Sequence, residues 1–360
     1  MQVAWCALAM ACGDNASREL PDARADDASA GDAGLVEAAG GDDDSPAEAG
    51  NLDASSEAGA GAVVLADSED DAACIAIDGT YLYWGAFNAP PPSGSGTIRR
   101  VAKGGGQPST LVTRESGVLP FALAVDAQNV YWTELAIPNT GTSSSVMQMP
   151  LAGGTPLTLA TSLAADPEYL VVAAGSVYWT SFSTGAPDQD VVQSVPIGGG
   201  AVTSVAQGQA GSGAIASDGT YLYYATLTAT NRIPLAGGPP QAIGPAALAL
   251  AVDATDVYFA YTPRGASTAA IARFPVAGGT VTGLADGRSL TFGNIVLDDG
   301  AVYWVEGKGT VKNGGAIATV PKSGGSPSVI APSLDNPRWV VIDATSAYFI
   351  TASAIEKVAK

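Results

Sequence analysis

The chain has 360 residues, of which 47% are hydrophobic, and a formal net charge of −19 with no histidine. This acidity and the scattered Lys and Arg argue against nucleic-acid binding, which needs a basic patch. The lack of histidine excludes histidine-dependent catalytic triads and most zinc sites, and with them the commonest general base.

An apolar run over residues 3–11 leads into Cys12 and ends in the segment Ala-Met-Ala-Cys. The run is too short to span a bilayer as a helix. Small residues before a cysteine at the end of an apolar run resemble a bacterial lipobox. The resemblance implies that residues 1–12 are a leader, that Cys12 is lipidated, and that the protein is anchored in the bacterial cell envelope. A secretory signal that is cleaved without lipidation is the alternative.

Residues 13–60 form an acidic segment of mainly Ala, Asp, Gly, Ser and Glu. They include 13 acidic and 2 basic residues and no aromatic residue. Such a composition cannot bury enough apolar surface to offset its ordering entropy. We therefore expect a disordered tether between the leader and a folded domain over residues 61–360.

An aromatic pair recurs seven times in the rest of the chain. The pairs are Tyr83-Trp84, Tyr131-Trp132, Tyr178-Trp179, Tyr223-Tyr224, Tyr258-Phe259, Tyr303-Trp304 and Tyr348-Phe349. Their first residues are 48, 47, 45, 35, 45 and 45 residues apart, the period of β-propeller blades. Since successive strand residues point to opposite faces and both faces of a blade are covered, we expect both aromatic residues of each pair to be buried.

Each repeat has the pattern of four short strands. A short apolar strand precedes the aromatic strand, and a variable loop leads from it to a third strand. A two-glycine turn such as Gly153-Gly154 then precedes a fourth strand. The sequence therefore predicts an all-β, seven-bladed propeller of four-stranded antiparallel blades.

An aspartate stands five residues before the first tyrosine in six of the seven repeats. These residues are Asp78, Asp126, Asp218, Asp253, Asp298 and Asp343, and Ala173 takes the place in the third repeat. We interpret them as structural turn acids whose carboxylates accept backbone N–H groups just ahead. A ring of catalytic or metal-binding acids is the alternative.

The last repeat ends after its third strand, at residues 355–360, and residues 61–66 have the pattern of a fourth strand without a blade of their own. We expect this N-terminal strand to complete the last blade, to bury Val63, Val64 and Leu65, and so to close the ring. Cys74, the only cysteine of the folded region, lies in an apolar strand and is interpreted as a buried small hydrophobic residue.

The blade pattern resembles the YWTD repeats of low-density-lipoprotein-receptor-type propellers and the wider TolB-like propeller superfamily. Residues 149–167 and the following Val-Tyr-Trp-Thr at 177–180 carry the resemblance, and residues 320–337 repeat it. The final aspartate of the motif is replaced by Glu134 and Ser181 in two repeats, and that family has six blades. The resemblance implies the architecture, and we carry over no ligand-binding residue from it.

The loops between second and third strands vary, whereas the other turns are uniform. They cover residues 85–97, 133–145, 180–190, 260–269 and 305–315, and the fourth repeat almost lacks one. Variable loops on a uniform scaffold are where binding usually occurs. We expect a non-enzymatic binding or scaffold module without a cofactor, whose partner is a protein, peptide or glycan on the face that carries these loops.

The alternative is a histidine-independent propeller enzyme of the lactonase or lyase kind, assisted by calcium. Its candidate ligands are carboxylates, which calcium prefers. They are Asp67, Glu69, Asp70 and Asp71 in one blade connection, and Asp188 and Asp190 in one loop.

Overall fold

A computed structural model of the chain describes residues 61–87, 94–161, 163, 165–182, 192–208, 213–307 and 311–360. The leader with Cys12 and the acidic segment lie outside the described residues. In the described ranges, no helix is long and apolar enough to cross a membrane.

The described strands form seven antiparallel sheets of four strands. Six sheets are meanders in chain order from the innermost to the outermost strand, and the seventh takes its outermost strand from the start of the folded region. Blade 1 contains β2 (Ala72–Ile77), β3 (Tyr81–Phe87), β4 (Ser95–Ala102) and β5 (Ser109–Ser116). Blade 2 contains β6 (Val118–Val125), β7 (Asn129–Ala136), β8 (Ser145–Pro150) and β9 (Leu157–Thr161). Blade 3 contains β10 (Asp166–Ala173), β11 (Ser176–Phe182), β12 (Val192–Pro196) and β13 (Thr203–Ala206).

Blades 4 to 6 follow the same order, and the first strand of the chain completes blade 7. Blade 4 contains β14 (Ile215–Ser217), β15 (Tyr221–Ala225), β16 (Ala229–Pro234) and β17 (Gln241–Pro245). Blade 5 contains β18 (Ala249–Val252), β19 (Asp256–Tyr261), β20 (Ala269–Pro275) and β21 (Thr282–Arg288). Blade 6 contains β22 (Leu290–Leu297), β23 (Ala301–Glu306), β24 (Gly315–Pro321) and β25 (Ser328–Leu334). Blade 7 contains β26 (Val340–Ile342), β27 (Ser346–Ile350), β28 (Ala354–Ala359) and β1 (Val63–Asp67).

The second strand of every blade carries the core. Each residue of the seven aromatic pairs is at most 7% exposed. Trp84, for example, packs with Tyr348 and Ile350 of blade 7 as well as with its own blade. This burial on both faces is the reason why the period of aromatic pairs identifies the fold, and the seven-bladed propeller is confirmed.

The two faces of the ring differ in their connections. The turns between first and second strands and between third and fourth strands lie on one face, here called the turn face. Gly153 and Gly154 adopt φ values of 91° and 137° in one of these turns, a conformation that side chains rarely allow. The loops between second and third strands, and the connections between blades, lie on the opposite face, here called the loop face.

The N-terminal strand β1 closes the ring by pairing with β28. Val63 lies opposite Lys357, and Asp67 lies opposite Ala354. Leu65 and Ala66 are buried, at 6% and 3% exposure. The expectation that Val63 is buried is wrong, because this residue begins the outermost strand and is 53% exposed. The closure therefore depends on strand pairing and on the second half of β1.

Removal of β1 should destabilise the ring. We compare a chain that starts at Gly61 with one that starts at Ser68. The shorter chain loses the buried Leu65 side chain, worth about 1.5–2 kcal/mol, and exposes the edge of β28, which invites association. Calorimetry should show a lower melting temperature and size-exclusion chromatography should show oligomers. A shorter chain that is monomeric and melts at the same temperature would contradict this closure.

Candidate functional site

The six predicted turn acids lie on the turn face and bind the backbone just ahead of them. In each, Oδ1 accepts hydrogen bonds from the N–H groups two and three residues later. At Asp78 these donors are Thr80 and Tyr81, each at 2.6 Å. The same pair of contacts recurs at Asp126, Asp218, Asp253, Asp298 and Asp343.

The second oxygen of these carboxylates binds the tyrosine of the aromatic pair. Tyr83 donates its hydroxyl hydrogen to Asp78 at 2.7 Å, and four other blades repeat the contact. Burial opposes ionisation of these carboxyls, but the hydrogen bonds outweigh it and lower the pKa of all six. The five-residue spacing between aspartate and tyrosine was visible in the sequence, but it was interpreted only as a turn signal.

Blade 3 makes the same turn without an aspartate. Ala173 takes its place, and the next two residues, Ala174 and Gly175, have φ values of 45° and 77°. Two positive φ values in succession are typical of a type I′ hairpin turn, which needs no carboxylate.

Three lysines connect the turn acids of one blade to the next blade. Lys322, directly after β24, lies 2.8 Å from Asp253 of the preceding blade. Lys360 and Asp298 are 2.7 Å apart, and Lys103 and Asp343 are 3.0 Å apart. The three pairs occupy the consecutive interfaces between blades 5 and 6, 6 and 7, and 7 and 1. The last two interfaces flank blade 7, which is built from both ends of the chain.

A second polar arrangement lies at the other end of the aromatic strand, on the loop face. The indole N–H of Trp132 donates to Glu134 at 2.7 Å, and Arg114 of the preceding blade binds the same carboxylate. Trp304, Glu306 and Arg288 repeat this arrangement in blade 6. In blade 1, Trp84 and Arg99 bind Glu69, which comes from the connection before the blade. Ser145 also donates to Glu134 at 2.9 Å, so both carboxylate oxygens of Glu134 accept hydrogen bonds within the protein.

The acidic candidates of the first blade connection do not converge on one point. Asp67 and Asp70 are exposed, whereas Glu69 is 4% exposed beneath Trp84 and Arg99. Burial raises the pKa of Glu69, and the contacts from Trp84 and Arg99 oppose the shift. Burial, and then the charge of Asp70, raise the pKa of Asp71.

Asp188 and Asp190 lie outside the described residues. Within the described ranges, no three carboxylates, cysteines or histidines form a group that could hold a metal ion. Cys74 is buried, and burial raises the pKa of its thiol to about 12.

A channel along the ring axis forms a cavity with a volume of about 320 Å³. The innermost strands of all seven blades line it with mainly Ala, Ile, Leu and Val side chains. Asn294 is the polar amide in this lining, and both ends of its side chain bind the backbone of Val340, at 2.8 and 3.0 Å. The lining side chains are therefore mainly apolar, whereas the innermost strands, each paired on one edge only, turn backbone groups toward the channel.

Three half-buried aromatic side chains meet at the loop-face end of this channel, here called the mouth. Phe121 and Tyr169 pack edge to face with ring centroids 5.9 Å apart, and Tyr169 lies 6.0 Å from Trp339. Tyr169 belongs to blade 3 and Trp339 directly precedes the first strand of blade 7, so their contact crosses the channel. The repeat pattern did not predict the mouth, because the seven blades do not share an aromatic residue at the positions of Phe121, Tyr169 and Trp339.

No protein-family model matches the sequence, and no curated protein sequence matches it. Solved structures resemble the fold. The β-propeller domain of the Trilobed protease from Pyrococcus furiosus is 9% identical with a TM-score of 0.58, over 81% of this chain and 93% of that chain. A puromycin-hydrolysing peptidase from Mycobacterium tuberculosis is 13% identical with a TM-score of 0.54, over 79% of this chain and 59% of that one. Nidogen in its complex with laminin is 16% identical with a TM-score of 0.45, over 76% and 86%.

Such low identities show the fold alone. The propeller of the Trilobed protease is described as having an open velcro topology, whereas in this chain β1 pairs with β28. The likeness to these structures therefore leaves the function of this chain open.

The lysine–aspartate pairs should stabilise the ring in a pH-dependent way. Replacement of Lys322 by Met should lower the free energy of unfolding by about 1–2 kcal/mol at pH 7, because a charge-assisted hydrogen bond is lost. The pKa of Asp253 is lowered in the folded state. The stabilisation is therefore fully present above the ordinary pKa of 3.8 and is lost as the pH falls below it.

Urea unfolding at pH 7 and at pH 3 measures this difference between the wild type and Lys322→Met. Lys312→Met is the matched control, since Lys312 is exposed. Equal effects of the two substitutions at pH 7, or a difference that grows toward pH 3, would contradict the role of the pair.

Proposed function

We propose that this chain is a non-enzymatic binding module of the bacterial cell envelope, which holds a peptide segment of a partner protein at the mouth. The observation that carries the proposal is the convergence of Phe121, Tyr169 and Trp339 from three blades on the loop-face end of an apolar channel. Concave apolar sites with few polar groups are typical of ligand binding.

The side chains that line the channel favour contact with an apolar side chain over contact with a sugar ring. Sugar hydroxyls would need hydrogen-bond partners, and a buried polar group without a partner is costly. The amide of Asn294 is already bound to Val340. Most of the other lining side chains, such as Leu123, Ile215 and Leu250, are apolar.

The loop face carries further apolar groups that could contact the same peptide. Leu227, in the tight turn after β15, is 63% exposed, and Leu248, just before β18, is 56% exposed. Leu227 lies in the short loop of blade 4. Because this loop is short, the loop face projects less at blade 4 than at the blades with longer loops. We infer that the peptide crosses the loop face over blades 4 and 5.

The position at which the N-terminal segment joins the propeller is consistent with a loop face that is accessible to a partner. As a fourth strand, β1 begins on the turn face at Val63, so the first described residues lie on the face opposite the mouth. With lipidation of Cys12, this arrangement would place the turn face next to the tether and leave the loop face accessible.

Substitutions at the mouth should weaken peptide binding. We would probe the wild type with an array of immobilised hexapeptides that carry one central Leu, Phe or Pro, and with an array of oligosaccharides. Trp339→Ala and Tyr169→Ala should weaken binding of the retained peptides at least tenfold, because each removes part of the apolar contact surface. Fluorescence polarisation with the best peptide measures the change.

Leu157→Ala is the matched control, because Leu157 is an exposed apolar residue on the outermost strand of blade 2. This variant should bind like the wild type. Retention of oligosaccharides in place of peptides, or equal peptide binding by Trp339→Ala, would refute the proposed function.

Lipidation at Cys12 is tested separately. The gene, with its upstream region, is expressed in a Gram-negative bacterium, and the protein is partitioned between detergent and water. Cys12→Ser should move the protein into water, because a lipidated cysteine is what would hold it in detergent. Cys6→Ser, the matched control, should leave partitioning unchanged. A Cys12→Ser protein that stays in detergent rules out this anchor.

A further inference from the structure

The innermost strand of each blade has an open edge along the channel, and in blade 7 this edge binds a side-chain amide. Asn294 of blade 6 donates to the carbonyl oxygen of Val340 at 2.8 Å and accepts from its N–H at 3.0 Å. Opposite residues of neighbouring antiparallel strands exchange the same two hydrogen bonds. The amide of Asn294 therefore takes the place that a further strand would take at Val340.

The pairing of β18 with β19 turns the backbone of Leu250 toward the channel in the same way. Opposite residues of antiparallel strands alternate between pairs that exchange hydrogen bonds and pairs that do not. Asp253 donates its N–H to the carbonyl oxygen of Asp256 at 3.1 Å, and the register runs without a shift back to Leu250, opposite Phe259. Counted from this turn, the N–H and C=O of Leu250 point away from β19 and toward the channel. Val340 has the corresponding place in blade 7.

The backbone of Leu250 and the mouth border the same cavity. The side chain of Leu250 packs in the core between blades 4 and 5, where Ala214 and Phe259 are among its neighbours. Leu250 nevertheless lines the channel together with the mouth residues Tyr169 and Trp339. A ligand that enters this cavity can therefore contact the mouth and the edge of β18 together.

Blade 5 offers its open edge on the side of the channel that the aromatic side chains leave free. Phe121, Tyr169 and Trp339, which meet at the mouth, belong to blades 2, 3 and 7. In blade 5 the residue before Leu250 is Ala249, which has only a methyl side chain, and the preceding Leu248 is 56% exposed. In the described part of the chain, no side chain binds the N–H or C=O of Leu250.

The edge selects a ligand that brings one acceptor and one donor. A peptide residue in extended conformation supplies both, with its own C=O and N–H. A carboxylate only accepts hydrogen bonds, so it would leave the carbonyl oxygen of Leu250 without a donor.

We propose that the bound peptide adds to the open edge of β18, where the N–H and C=O of one of its residues are hydrogen-bonded to the C=O and N–H of Leu250. This inference rests on the proposed function and gives the mouth a polar part. Addition of an extended peptide to a sheet edge is a recurring mode of recognition, in which main-chain hydrogen bonds supply affinity and pockets for side chains supply specificity. The ligand class is an extended peptide with an apolar side chain next to the paired residue, and that side chain lies against Tyr169 and Trp339.

The test uses the full chain labelled with ¹⁵N-leucine and ¹⁵N-tryptophan and follows N–H signals by NMR. The probe is N-acetyl-L-leucyl-L-alanine N′-methylamide, which has one apolar side chain and a neighbouring residue that can pair. The indole signal of Trp339 reports on the mouth, and the amide signal of Leu250 reports on the edge. Both should shift with one common dissociation constant, the Leu250 proton downfield. The amide of Leu123, which has the same register position in blade 2, should not move.

Replacement of the backbone N–H separates the edge from the side chain. Leucic acid, the α-hydroxy analogue of leucine, at position 250 removes the N–H and keeps the side chain, and it should weaken binding of the probe about fivefold. The same replacement at Leu123 is the matched control and should leave the affinity unchanged. Leu250→Val keeps the N–H, assigns the Leu250 signal by its loss, and should bind like the wild type.

A modified probe tests the same pairing in the unchanged protein, should the leucic acid variant not fold. Methylation of the alanine nitrogen of the probe removes the donor to Leu250 and should also weaken binding about fivefold. Equal affinity of the methylated and the unmethylated probe would overturn the inference.

The NMR outcomes separate the two proposals. A shift of Trp339 without a shift of Leu250 overturns this inference and supports peptide binding at the mouth. Equal shifts of Leu250 and Leu123 also overturn it, because the peptide would then not select blade 5. A shift of Leu250 without a shift of Trp339, or of neither, contradicts both proposals. A larger shift of Leu250 with acetate than with the peptide probe overturns the inference, because the preferred ligand would then be anionic.

Discussion

The second strand of each blade is covered on both faces, and this constraint explains most of the polar structure of the propeller. Tyr83 and Trp84 are both fully buried, so the hydroxyl and the indole N–H each need a partner within the protein. Asp78 supplies the partner on the turn face and Glu69 supplies it on the loop face. The aspartates and glutamates that surround the ring are therefore parts of the packing of the aromatic strands.

The sequence predicted the features that lie within one repeat. The period of aromatic pairs, the two-glycine turns and the pattern of residues 61–66 lead to seven blades and to closure by β1, because each depends on local spacing. Contacts between blades were not predictable in this way. Lys322 and Asp253 are 69 residues apart, and Tyr169 meets Trp339 across the channel between blades that are not neighbours. Such contacts depend on the tilt of whole blades and on the distance between them. Neither quantity can be predicted from the residue spacing within one repeat.

Blade 3 departs from the repeat at both ends of its aromatic strand. Ala173 replaces the turn acid and Ser181 replaces the carboxylate beside the tryptophan. At the first position a turn with two positive φ values compensates for the loss. At the second, the indole N–H of Trp179 has no partner among the described residues. Departures from a consistent pattern without local compensation tend to occur at functional sites, and this one lies in the blade that carries Tyr169.

The difference between the two faces is the reason why we propose binding on the loop face. On the turn face the aspartate oxygens are occupied by backbone N–H groups, tyrosine hydroxyls and, in three blades, a lysine of the next blade. The polar groups of the turn face are therefore already hydrogen-bonded within the protein, and a ligand that binds them would have to break these hydrogen bonds. On the loop face the repeat is interrupted. The aromatic side chains of Phe121, Tyr169 and Trp339 stay half-exposed, and a ligand can contact them without displacing a hydrogen bond that holds the ring together.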